Sequence, residues 1–265
     1  MTIRFDQLSK SFGPKVVLRD VSFEVAKGEI LFVLGKSGVG KSVTLKHIVG
    51  VMRPDSGRVF VEEEDVTKLD AQGLARVRRR CGMVFQHPAL LDSLSVYENV
   101  AFGLRTPQYT ESIGRKLSEL EIRKIVVEKL DLVNLGAEVL PRMPPEISYG
   151  MQKRVSLART LAPSPDYLLF DEPTTGLDPV TTNAVNDLIK DLSRKLKVTS
   201  LVVSHDMQCA LKIADRILIL DQARILALDS VAAIKRSKEP LIREFLEETL
   251  SLLPPEERAT LETES

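Results

Sequence analysis

The 265-residue sequence has only two cysteines, Cys81 and Cys209. They make neither a disulfide framework nor a zinc site. Cys81 follows three arginines, a setting that lowers a thiol pKa, but a plain structural thiol is the expectation for both. An excess of charge of either sign is also missing. Lysine plus arginine total 37 and so do aspartate plus glutamate, so no net field draws nucleic acid, which is not an expected partner. No apolar run approaches the length of a membrane span. The start, Met1-Thr2-Ile3-Arg4-Phe5-Asp6, lacks a signal-peptide core. A cytosolic protein that meets membranes only indirectly is expected. There is no internal repeat and no low-complexity tract. The length suits one large domain or two small ones.

What is present centres on Gly35-Lys36-Ser37-Gly38-Val39-Gly40-Lys41-Ser42. It fits G-x-x-x-x-G-K-[ST], a loop that wraps nucleotide phosphates. Ile30 to Leu34 reads as a strand buried on both faces. Leu45, Ile48, Val49 and Met52 follow at helical spacing. Glycines let backbone N–H groups turn toward phosphates, and a helix N-terminus favours an anion. Lys41 is expected to reach the β- and γ-phosphates and Ser42 to ligate Mg²⁺.

Residues 3–8 and 16–25 read as strands joined by a turn at Gly13-Pro14, where Phe12 sits. Arg58 to Val61 and Met83 to Phe85 read as further strands, with Gln86 at the end of the second. The run Arg76, Arg78, Arg79, Arg80 suits the solvated face of a short helix. From about 95 to 161 the periodicity is helical, with amphipathic helices over 119–133 and 151–161. Strands at 167–170, 200–203 and 217–220 then alternate with helices at 180–196 and 207–213. That alternation predicts a parallel sheet covered by helices. The strand ending in Asp171-Glu172 delivers one carboxylate that can hold Mg²⁺ through water. The other is placed to orient or deprotonate an attacking water. His205, at the end of a parallel strand, faces the ligand crevice. There it can bond the γ-phosphate, while Gln86 can touch metal and water.

Ile147-Ser148-Tyr149-Gly150-Met151-Gln152-Lys153-Arg154 precedes these carboxylates and resembles the L-S-G-G-Q signature of ATP-binding-cassette (ABC) ATPases. Phosphate loop, Gln86, signature, Asp171-Glu172, Thr175-Gly176-Leu177-Asp178 and His205 follow the family's motif order over roughly residues 3–230. The resemblance implies an α/β fold. Its core is that of a P-loop NTPase (RecA-like) with a parallel sheet, carrying N-terminal antiparallel strands and a helical ABC subdomain at about 87–160. It implies ATP hydrolysis with Glu172, His205 and Gln86 as catalytic residues. Phe12 would stack on adenine, and residues Gly35, Lys36, Ser37, Gly38, Val39, Gly40, Lys41, Ser42 and Val43 would hold the phosphates. Ser42, Gln86 and Asp171 would hold Mg²⁺. Ser148 and Gly150 would bind the γ-phosphate held by a second subunit, and Asp178 would carry contact between the two sites. Tyr149 stands where the family has its first glycine, and Met151 where it has glutamine.

The stretch from Phe85-Gln86-His87-Pro88-Ala89-Leu90 to Phe102, together with Met151 and Asp171 to Thr181, looks like the ATPases of Mce/Mla-type lipid transporters. That likeness implies a peripheral homodimer on the cytoplasmic face of the inner membrane. Its implied partners are permease subunits, met mostly by residues 87–115, an Mce-domain lipid-binding protein and a small regulatory subunit. An importer ATPase for a small polar solute is the alternative. A soluble ABC protein acting on DNA or ribosomes and a P-loop GTPase fit less well, since the sequence shows neither a second cassette nor a long coiled-coil insertion, and no N-K-x-D. Residues 1–238 would form the cassette and 239–265 an extension. In that extension Leu241, Ile242, Phe245, Leu246, Leu250 and Leu253 mark one face of a helix that starts at Pro240 and stops at Pro254-Pro255. The stripe is buried either on the protein's own core or on a partner, and 256–265 read as polar and disordered.

Overall fold

A computed structural model describes residues 2–251. The expected stop at Pro254-Pro255 and the polar stretch beyond it lie outside the described residues. The chain opens with β1 (Ile3–Phe12) and β2 (Lys15–Val25), an antiparallel hairpin turned at Gly13-Pro14. Both strands run longer than the sequence pattern suggests, because cross-strand pairing carries β1 on to Phe12. Next come β3 (Ile30–Leu34), the glycine loop and α1 (Lys41–Ile48). α1 stops at Ile48, so Met52 lies beyond the helix expected to hold it. Then follow β4 (Ser56–Val61), β5 (Glu64–Asp65), α2 (Ala71–Arg80) and β6 (Cys81–Val84).

The middle of the chain is helical: α3 (Val96–Ala101), α4 (Pro107–Ile113), α5 (Glu119–Leu132) and α6 (Tyr149–Leu161). Ser95 with Glu98, and Ser118 with Glu121, form reciprocal caps that start α3 and α5. The alternating part resumes with β7 (Tyr167–Asp171), α7 (Pro179–Leu196), β8 (Thr199–Val203), α8 (Met207–Ile213) and β9 (Arg216–Asp221). β10 (Arg224–Ser230), α9 (Val231–Lys235) and α10 (Pro240–Ser251) close it.

A four-stranded sheet has the order β2-β1-β4-β5, and a six-stranded sheet the order β10-β9-β3-β8-β7-β6. In the second, β9, β3, β8, β7 and β6 are parallel and β10 is an antiparallel edge. Successive side chains of a strand point to opposite faces. Ile30, Phe32 and Leu34 therefore enter one apolar core with the helical region, whereas Leu31 and Val33 enter a second with the antiparallel sheet. Among the described residues no helix is long and apolar enough to cross a membrane.

Two expectations need correction. The arginines of α2 are not merely solvated. Arg78 donates to the Val49 and Gly50 carbonyls at 2.8 and 3.1 Å, closing the end of α1. Arg80 is paired with Glu62 and, at 2.6 Å, with Asp166. Cys81 is the structural thiol expected, since burial pushes it up to about 12 and outweighs the neighbouring Arg80. Burial likewise raises the Cys209 thiol. The strand expected to include Phe85 ends at Val84, and Phe85 is 45% exposed. The described part of the α10 stripe lies on the protein's own core, where Ile242 and Leu246 are buried in the cluster that includes α8.

Candidate functional site

The C-terminal ends of β3, β7 and β8 open into one cleft of about 600 Å³. Phe12, Lys15, Val17, Ser37, Gly38, Gly40, Lys41, Ser42, Val43, Gln86, Glu172, Thr175 and His205 line it. The glycine loop joins β3 to α1, and two of its positions admit no other residue. Gly35 has φ +154°, and a Cβ there would meet the Leu220 carbonyl oxygen at 2.5 Å. Gly40 has φ +114°, and a Cβ would meet the Val17 carbonyl oxygen at 2.8 Å. The loop can therefore fold tightly enough to aim its backbone inward.

Inside this loop the Lys41 ammonium is buried. It donates to the Gly35 carbonyl at 2.8 Å and the Lys36 carbonyl at 3.3 Å, and lies 3.4 Å from Glu172 Oε1. Ser42 Oγ donates to Asp171 Oδ1 at 2.6 Å, joining the first turn of α1 to the end of β7. Glu172, one residue beyond that strand, has φ +50°, a left-handed conformation that non-glycine residues seldom adopt. Its N–H donates to the Val203 carbonyl at 2.9 Å. That bond turns the carboxylate inward, where His205 Nδ1 donates to Oε2 at 2.8 Å and Thr175 Oγ1 donates to the same oxygen at 3.2 Å.

Thus Phe12, Lys41, Ser42, Gln86, Glu172 and His205, expected from sequence to act together, share one cleft, and Asp171 is bonded to its edge. Phe12 is 47% exposed at the mouth, with Lys10 Nζ 5.7 Å from its ring centre. Lys15 and Val17 of β2 were not singled out in the sequence. Their only signal was a position just past the Gly13-Pro14 turn.

Ser148, Gly150 and Asp178 stand apart from the cleft lining. Ser148 is exposed and caps α6, its Oγ accepting the Met151 N–H at 3.3 Å. Gly150 follows in the first turn. Asp178 caps α7, where the Thr181 hydroxyl and N–H hold its carboxyl below the usual range. Tyr149 turns its ring away from the helix tip. Its hydroxyl lies 3.3 Å from His87 Nδ1, and Lys153 Nζ lies 5.5 Å from the ring centre. Lys153 is buried, and burial lowers its ammonium to about 8.

Comparison with known proteins agrees with this geometry. The ABC transporter family model matches residues 18–175. The probable ribonucleotide transport ATP-binding protein mkl of Mycobacterium leprae is 38% identical over 246 residues, covering 93% of this chain and 69% of that protein. The methionine import ATP-binding protein MetN 1 of Yersinia pestis is 38% identical over 262 residues, covering 97% and 74%. Among solved structures, cbiO1 of Clostridium perfringens, part of the ABC transporter complex cbiONQ, superposes with a TM-score of 0.80 at 27% identity over 98% of each chain. A dimeric ATP-binding cassette in a post-hydrolysis state bound to ADP and Pi superposes at 0.75 with 29% identity, covering 86% of this chain and 98% of that one. With its phosphate loop, paired carboxylates and histidine in one cleft at the strand ends, the chain belongs to the ABC transporter family as an ATP-binding, ATP-hydrolysing cassette.

Proposed function

We propose that this ATPase is the energy subunit of an ABC transporter that moves a phospholipid or another apolar substrate across or between bacterial envelope membranes. The observation that carries the energy role is the division of the site. Lys41, Glu172 and His205 meet in one cleft, while Ser148, exposed, and Gly150, half-buried, lie at the start of another element. A second copy would supply the missing signature, giving a homodimer with two composite sites. The dimeric cassettes among the structural neighbours support that reading.

In it, Gly35 to Val43 hold the phosphates and Phe12 covers the base. Ser42, Asp171 and Gln86 fit a Mg²⁺ ion, being hydroxyl, carboxylate and amide oxygens of the hard type that ion prefers. Bound there, the ion would neutralise charge on the phosphates. Glu172 orients and deprotonates the attacking water, His205 holds the carboxylate and reaches the γ-phosphate, and Asp178 lies where the two copies meet. The permease would dock on a groove of about 360 Å³ whose lining includes Phe85, Phe102 and Tyr109. Phe85 and Phe102 are 45% and 52% exposed there. The protein would then sit peripherally on the cytoplasmic face of the inner membrane.

The apolar cargo, an Mce-domain partner and a regulatory subunit rest on the likeness of residues 85–102 and Met151 to Mce/Mla-type ATPases. A small polar solute is the second reading, favoured by the transport roles in the names of the two relatives. Purifying the complex from native membranes and assaying its ATPase separates them. Co-purification of an Mce-domain protein with stimulation by phospholipid supports the first. Stimulation by methionine or a ribonucleotide with a solute-binding partner overturns it.

A further inference from the structure

Tyr149 has a ring where the family signature has none, and that ring is placed. Tyr149 and Lys153 are four residues apart on α6 and so share a face. The ammonium of Lys153 sits 5.5 Å from the ring centre, within reach of a cation–π contact. Lys153 is only 7% exposed. It donates to the Pro173 carbonyl at 2.6 Å and the Thr175 carbonyl at 3.1 Å. These carbonyls belong to the segment that leaves Glu172. Thr175 also donates its hydroxyl to Glu172 Oε2. An unbroken set of contacts thus runs from the signature tip to the carboxylate of the same chain. The Tyr149 hydroxyl meets His87, next to Gln86, and fixes the ring's direction.

We propose that Tyr149 and Lys153 are positioning residues that set the Glu172 carboxylate through Thr175, so that the signature helix acts on its own subunit's water-orienting group. This rests on the assignment of Glu172 proposed above. A glycine at 149 leaves the Lys153 ammonium without its ring and the helix tip without this link. The segment 173–175 is short, so a shift of Lys153 moves the Thr175 hydroxyl directly. Displacing a group that orients the nucleophile lowers kcat, whereas nucleotide contacts from Lys41 and the loop remain and keep KM.

The test is steady-state ATP hydrolysis by the full chain in its transporter complex, with thermal unfolding as a check on the fold. Lys153→Met and Tyr149→Leu are each expected to lower kcat by about ten-fold with KM within about two-fold of wild type. The double variant should be no slower than Lys153→Met alone, since both break one path. Tyr149→Phe keeps the ring and should retain kcat within about three-fold. Thr175→Val removes only the hydroxyl and should reproduce the kcat loss, which covers a Lys153→Met that fails to fold. Wild-type kcat in Thr175→Val, multiplicative losses in the double variant, or losses in KM alone would overturn the relay. Glu172→Gln is run beside them. If it still turns over, the assignment of Glu172 falls and the relay with it. If it is dead while Lys153→Met and Thr175→Val are normal, the relay alone falls.

Discussion

The phosphate-loop cleft and the tip of α6 are built in opposite ways. In the cleft, residues from distant parts of the chain are bonded to one another: Lys41 to Glu172, Glu172 to His205, Ser42 to Asp171. A parallel sheet brings them together, because β3, β7 and β8 end side by side. At the tip, Ser148 bonds only within its own first turn, and Gly150 carries no side chain to bond. The cleft is satisfied from within. The tip presents a helix N-terminus outward, an arrangement that favours an anion. Tyr149 is the exception at the tip, tied back into its own chain.

Breaking the cleft has the largest expected effect. Glu172→Gln should keep ATP binding and lose kcat by about 10²-fold or more, since an amide accepts no proton. Lys41→Ala should lose ATP affinity instead. Filter binding beside a turnover assay distinguishes the two. The opposite outcome, with Glu172→Gln losing affinity, would mean the carboxylate holds the loop and not the water.

Next comes the tail helix, which sharpens where the cassette ends. A tail docked on a partner would leave the single chain's unfolding unchanged when removed. Leu246 is instead 3% exposed in the main core. Leu246→Ala should therefore cost about 2–4 kcal/mol, read from denaturant unfolding. Truncation after Lys238 should lower Tm. Lys36 Nζ lies 3.9 Å from Glu244, and both side chains are exposed. Breaking that pair should change stability by less than about 1 kcal/mol.

The smallest expected effect is a pH dependence behind the phosphate loop. His47 in α1 is buried, its Nε2 has no hydrogen-bond partner among the described residues, and burial lowers its pKa below 6.5. The unfolded chain then binds the proton first, so stability rises with pH in that range. The contribution is complete above the unfolded value of 6.5 and is lost as pH falls through it toward the folded value. His47→Met should flatten the fall in Tm below pH 6.5. An unchanged slope would assign it to other groups.

The cleft was more legible in the sequence than the tip, for a physical reason. Gly35 to Ser42 is one short run whose glycines and lysine must be local, and the strand before Asp171-Glu172 announces its own end. Arg78 was illegible because its partners are carbonyls left open by the end of α1, 28 and 29 residues away. β10 was missed because its side chains are only half buried, which blurs the alternation. The contacts of Tyr149 were half legible. Its spacing to Lys153 is local, but His87 lies 62 residues away.

In the proposed homodimer the cleft and the tip complete each other only between two copies. Light scattering of Glu172→Gln with ATP and Mg²⁺ reads this pairing. A mass twice that of the single chain is expected, reverting to one chain when Ser148→Arg is added to the same molecule. A single-chain mass with ATP bound, or a dimer indifferent to Ser148→Arg, would contradict it.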